Sequence, residues 1–180
     1  PAMCIVGEPT SLAVATGHKG KIALKARCIG REGHSALAPL ALNALHLGCD
    51  FITALREIQA ELMQNFAHDD DYDVPYTTVH AARITGGVAL NIVPNMCEVD
   101  FEIRNVAEDD PERILTMIKA RADQIVTAAK SQASEAAITF AEFRGAQSSI
   151  EAASTYIPHQ RLNAPRGATV VFREGPHPTV

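Results

Sequence analysis

The side chains of this 180-residue chain that invite a chemical reading lie in short loops beside strongly periodic segments. In GREGHSALAPLALNAL, His34 follows Gly33 and precedes Ser35, with Pro39 and Asn43 further on. An imidazole changes its charge near neutral pH, so a loop histidine is either a surface residue, the commoner case, or a group placed for proton or hydrogen-bond work. In MCIVGEPTS, an apolar run delivers the carboxylate of Glu8 into a turn containing Pro9. Asn91 lies in GGVALNIVPN, and Arg104 ends the alternating run CEVDFEIR, where an arginine is more often a solvated charge than a ligand. Asp69, Asp70, Asp71 and Asp73 could suggest calcium. They lack the ordered glycine and closing glutamate of an EF-hand, so they read as a solvated loop. His18 in GHKG is by default a turn residue, and His46, His68, His80, His159 and His177 take no role.

The elements that must hold these loops are legible from periodicity. KIALKARCIG alternates Ile22, Leu24, Ala26 and Cys28 against Lys21, Lys25 and Arg27, the pattern of a half-buried strand. Pro39 is expected to open a helix that runs to about Asn65, with Leu42, Leu45, Cys49, Ile52, Leu55 and Leu62 at three- and four-residue spacing. YTTVHAARI is a second strand, broken by TGG. CEVDFEIR turns Cys97, Val99, Phe101 and Ile103 inward and Glu98, Asp100, Glu102 and Arg104 outward. EDDPERILTMIKARADQIVTAAK is a helix with an acidic cap, a proline in its first turn and a stripe of Ile114, Ile118, Ala122, Ile125 and Ala129. AITFAEF closes as a fourth strand. This order defines an α+β fold, a ferredoxin-like split βαβ (βαββαβ) sandwich. Its antiparallel sheet carries helices near 39–64 and 110–130 on one face, with the other face open. After Phe143 the periodicity fades, although ATVVF fits a strand.

Composition bounds the function. Apolar residues make up 47% of the chain, enough for a core, and a net charge of −5 supplies no basic footprint for nucleic acid. The apolar runs are too short to span a membrane, and no signal-peptide pattern opens the chain. Cys4, Cys28, Cys49 and Cys97 form no CxxC pair and read as buried thiols of a reducing compartment, so a cytoplasmic protein is expected. The chain begins without Met, on an apolar strand with nothing before it to pair with, and is read as a fragment of something larger.

Taken together and in order, GEPT after an apolar strand, GHKGK, GHSALAP…NAL and GGVALNIVPNMCEVDFEIR resemble the zinc-dependent amidohydrolase and peptidase family of the acetylornithine deacetylases, succinyl-diaminopimelate desuccinylases and glutamate carboxypeptidases. The resemblance covers roughly residues 3 to 143. It implies a lid or dimerisation domain at 16–143, with the end of a catalytic α/β segment at 1–15. The start of a truncated or divergent return to that segment would lie at 144–180. It further implies two zinc ions, which cobalt can replace, with Glu8 as a metal ligand. His34 becomes the lid histidine that donates to the carbonyl oxygen under attack, held by Gly33, Ser35 and Pro39. Asn91 and Arg104 become substrate-binding residues, Arg104 by gripping a carboxylate. The wording is most similar to the acetylornithine deacetylase branch, which implies hydrolysis of an N-acyl amino acid to acetate and ornithine in arginine biosynthesis. The other metal ligands and the general base match nothing here, so the chain alone is expected to be inactive. A dipeptidase, a desuccinylase and a non-catalytic dimerisation or ligand-binding module remain open alternatives.

Spacing adds one expectation. Asn91 and Arg104 are thirteen residues apart, about 40 Å if extended at the rise of a strand. One small substrate cannot span that distance. Both residues can serve substrate if they serve different active sites, as in a homodimer that exchanges lids.

Overall fold

The computed structural model describes residues 17–142, 156–157 and 160–161 and divides into two compact units. In chain order the elements are β1 (Gly17–His18), β2 (Lys21–Ile29), β3 (Gly33–His34), a 3₁₀ segment (Ser35–Leu40), α1 (Ala44–Asn65), β4 (Thr78–Gly86), β5 (Ile92–Val93), β6 (Met96–Arg104), α2 (Pro111–Ala129), β7 (Ala137–Glu142), β8 (Tyr156–Ile157) and β9 (Gln160–Arg161). The described part of the smaller unit is the antiparallel pair of β1 with β9.

The larger unit, Lys19–His159, is built on an antiparallel sheet in the order β4-β6-β2-β7. The short β8, which periodicity did not indicate, adds to β2 at Lys21 and Ile22. Alternation places like with like: Leu24, Ala26 and Cys28 stand opposite Phe101, Val99 and Cys97. Ala26 and Cys28 also oppose Phe140 and Ile138 in β7. A bulge between Ala81 and Arg83 re-phases β4, so that Arg83 faces Asp100 and Ile84 faces Val99. Both helices cover the inward face. Phe51 of α1 meets Phe101 and Phe140 with ring centroids 5.4 and 5.7 Å away. Leu55, Ile58 and Leu62 continue its buried face, while α2 contributes Ile114, Ile118 and Ala122.

The expected βαββαβ sandwich is thus present, with three local corrections. Pro39 does not open α1. It lies inside the 3₁₀ segment, and the helix starts at Ala44, where Asn43 Oδ1 accepts from the Leu45 N–H at 2.9 Å. Cys49 is exposed, whereas Cys28 and Cys97 are buried. The preceding Gly48 is the residue that faces the sheet, where an added Cβ would lie 2.7 Å from Cys97 Sγ. Burial pushes the Cys28 thiol up to about 12 and also raises that of Cys97, which leaves both poor nucleophiles. Cys4 lies outside the described residues.

The third correction concerns the acidic loop, which is not simply solvated. Asp69 is buried; its N–H donates to Pro75 O and its Oδ1 accepts from the Asp71 N–H. Lys19 Nζ donates to Val74 O and Tyr76 O at 2.7 and 2.6 Å and lies over the Tyr72 ring. Lys19 and Gly20 of GHKGK therefore have structural contacts. Lys19 closes this loop, and Gly20 sits against the buried side chain of Asn105.

The open face of the sheet is a lattice of opposite charges. Glu98 takes Lys25 and Arg27 at 2.6 and 2.8 Å, and Asp100 takes Arg83 at 2.7 Å. Hydrogen bonds from Lys25 and then Arg27 hold the Glu98 carboxyl below its usual range. Partly exposed pairs contribute under about 1 kcal/mol each, against roughly 1.5–3 kcal/mol for each fully buried aliphatic side chain. The helix-covered face therefore decides the fold. No helix among the described residues is long and apolar enough to cross a membrane.

Candidate functional site

Beyond β2 the chain leaves the sheet but keeps a backbone frame. Gly30 N–H donates to Asn95 O at 2.8 Å, and Arg31 exchanges backbone hydrogen bonds with Leu42 at 2.8 and 3.0 Å. Between Arg31 and Leu42 the loop rises as β3, whose Gly33 and His34 pair with Val93 and Ile92 of β5. Ser35 N–H then donates to Asn91 O at 2.9 Å. This small ribbon brings together His34 and Asn91, which are 57 residues apart in sequence (91 − 34). Both are exposed. Gly33 lies in a tight space and not in a turn. It is extended in the ribbon, and a Cβ there would lie 3.0 Å from Ala41 Cβ. The positive-φ glycine among the described residues is Gly87, at φ 81°, which turns the chain out of β4 toward Asn91.

The ribbon also defines one state of the imidazole. His34 Nδ1 accepts from the Ala36 N–H at 3.2 Å. A backbone N–H can only donate, so in the neutral ring Nδ1 carries no proton and Nε2 carries it. The outward nitrogen is therefore a donor. Beside the ribbon lies an open groove of about 450 Å³ lined by Ser35, Leu45, Val88, Leu90, Ile92 and Pro94 among others. Its lining includes the exposed apolar side chains of Leu90 and Val88, 102% and 84% exposed; Leu37 and Leu40 on the 3₁₀ segment are also exposed, at 56% and 71%.

Arg104 is elsewhere. It is the last residue of β6, opposite Thr78, and it grips Glu102 with Nε and Nη2 at 2.9 and 3.3 Å on the open face. The ribbon adjoins the other end of this strand, because Asn95 immediately precedes Met96. Eight residue steps at strand rise separate the two ends by roughly 27 Å. Glu8 lies outside the described residues. Among the described residues no three His, Cys, Asp or Glu side chains are grouped to hold a metal ion.

Three residues at this end carry no local signal in the sequence. Arg31 Nε and Nη2 reach Glu135 Oε1 and Oε2, each at 2.7 Å, across about a hundred residues of chain. Hydrogen bonds from Arg31 hold the Glu135 carboxyl down to about 2. Gln132 reaches back to the loop from the same turn, with its Nε2 2.6 Å from Ala41 O.

The larger unit is thus a split βαβ sheet covered by helices on one face, with an exposed ribbon at one end. Residues 16–129 match the peptidase dimerisation domain, and the chain belongs to that family. An acetylornithine deacetylase from Aliivibrio salmonicida is 34% identical over 104 residues, 58% of this chain and 27% of the relative. The chain thus spans about a quarter of the length of the curated relatives it matches. Among solved structures, a hydantoinase/carbamoylase family amidase from Burkholderia ambifaria superposes with a TM-score of 0.58 at 12% identity, over 84% of this chain and 31% of that one. A tripeptidase from Staphylococcus aureus gives 0.51 at 22% identity, over 83% and 32%. At these identities the two structures show the fold alone.

Proposed function

We propose that this domain serves a metal-dependent hydrolase that removes an N-acyl group from an amino acid, with N-acetylornithine as the substrate class, and that it does so as a homodimer. The supporting observation is the ribbon that sets His34, with Nε2 as its donor, beside Asn91 at an exposed apolar rim. When an amide carbonyl is attacked, negative charge grows on its oxygen, and a fixed N–H donor there is worth on the order of 3 kcal/mol. His34 supplies that donor, and Asn91 holds the substrate beside it. Arg104 can take a substrate carboxylate in bidentate fashion once it releases Glu102. Glu8 would be this chain's ligand to a metal such as zinc, which would supply the activated nucleophile; His34, Asn91 and Arg104 are assigned to the substrate. The relatives named acetylornithine deacetylase support this substrate class over a peptide.

Two features support the dimer. Among the described residues β4 pairs on one side only, which leaves a nine-residue edge for strand addition. The roughly 27 Å between Arg104 and the ribbon also suits residues that serve two different sites. The test is His34→Ala in the active hydrolase. Turnover should fall roughly 10²–10³-fold, the cost of one oxyanion donor, with bound zinc unchanged. Unchanged turnover, or loss of zinc, would overturn the role of His34. Comparing acetylated, succinylated and dipeptide substrates then separates this reading from the other activities.

A further inference from the structure

The 3₁₀ segment that follows His34 contains no buried residue, so no core contact holds it in place. Hydrogen bonds have to do so. On one side Ser35 N–H reaches Asn91 O. On the other side, Gln132 Nε2 donates to Ala41 O at 2.6 Å and to Pro39 O at 3.4 Å. Gln132 stands on a rigid base: its own N–H donates to Ala129 O at the end of α2, and the flanking Ala133 and Ala136 are buried. Arg31 ties this base to the start of the loop. Its Nη1 donates to Gln132 O at 3.1 Å while its fork holds Glu135.

We infer that Gln132 is a positioning residue for His34. It holds the 3₁₀ segment so that the Ala36 N–H stays on His34 Nδ1 and the ring presents Nε2–H outward. The inference rests on the proposed role of His34, and its functional meaning depends on that role. The geometry it predicts does not.

The test uses the full 180-residue chain. Hydrogen exchange is followed at Ser35, Ala36, Ala41 and Leu42, and the ring nitrogens of His34 are read in ¹⁵N spectra. Gln132→Met keeps the size and removes the donor; Gln132→Glu turns an acceptor toward two carbonyls; Gln132→Lys restores a donor. Exchange at the four amides should quicken roughly five- to tenfold in Q132M, as for one or two lost neutral hydrogen bonds. It should quicken further in Q132E and return close to wild type in Q132K. The Nδ1 resonance should move from its acceptor position toward a tautomer mixture in the same order. Amides of Val99 and Phe101 in β6 should not respond. Equal behaviour of the three variants, an unmoved His34 resonance, or loosening of β6 together with the loop would each overturn the inference. Neither readout involves turnover, so this failure is distinguishable from failure of the hydrolase reading, which H34A tests.

Discussion

His34→Ala and Arg104→Ala subunits of the assembled hydrolase should each be inactive alone and should recover activity when mixed. The structure supplies the reason. His34 lies at the Met96 end of β6 and Arg104 at its far end, roughly 27 Å away at strand rise. An acylated amino acid reaches about 10 Å, the span of some three extended residues. One substrate cannot touch both residues of one chain, so if both serve substrate, as proposed, each site draws them from different chains. In a mixed dimer, one site then has an intact Arg104 and receives an intact His34, while the other site lacks both. With free exchange about half the dimers are mixed, and each has one good site of two, giving about a quarter of wild-type activity. If one lid supplied both residues to a single site, every mixed dimer would hold two defective sites and no activity would return. A control inverts the pattern. Wild type mixed with the H34A/R104A double mutant should give about a quarter under lid exchange and about a half if one lid serves one site. The assay is initial rate after subunit exchange, with dimer content measured alongside. Recovery absent from the first mixture, or a half in the second, would refute the shared-site geometry.

Gly20→Ala should destabilise the larger unit by about 2–4 kcal/mol, combining an overpacking cost with loss of the hydrogen bonds made by Asn105 Nδ2. The new Cβ would lie 2.1 Å from Asn105 Oδ1, and that amide already donates to Val106 O and Asp109 O. In urea unfolding the midpoint should drop with an unchanged slope, and adding Asn105→Ala should cost less than the sum of the two substitutions; a loss below about 0.5 kcal/mol would refute the contact. Glu135 gives a pH signature. Its carboxyl falls from the ordinary 4.5 to about 2 in the folded chain because Arg31 hydrogen-bonds the charged form. A depressed carboxyl stabilises above its unfolded value, and that contribution is lost as pH falls through the folded one. The gap in unfolding midpoint between wild type and Glu135→Gln should therefore be constant above pH 4.5 and close toward pH 2. A gap that persists at pH 2 would refute the pairing.

The core strands and helices were readable because burial imposes a period. Leu24 against Phe101, and Ile114 with Ile118 and Ala122, follow from alternation and helical spacing whatever lies elsewhere in the chain. The caps divide in an instructive way. Asp110 with Pro111 is a local signal and marks the start of α2. Pro39 carries a similar signal but falls in a 3₁₀ segment, because the competing cap at Asn43 completes its bond to Leu45. Cys49 was misplaced because an apolar stripe has width, and Gly48, lacking a side chain, gives no hint that it is the residue pressed against Cys97.

Resemblance to the family's ordered motifs, and not residue type, singled out His34, Asn91 and Arg104, and strand rise gave the expectation that Arg104 stands away from Asn91. What joins His34 to Asn91 is a two-residue ribbon whose partners are distant in sequence, and nothing local announces it. The same holds for Gln132 and Glu135, polar residues of a helix-end turn that meet the His34 loop because the sheet folds β7 beside β2. Hydrophobic periodicity is a short-range property written into the chain. The direction in which a loop carbonyl or an imidazole nitrogen finds its partner depends on which strands lie side by side, and only the tertiary structure decides that.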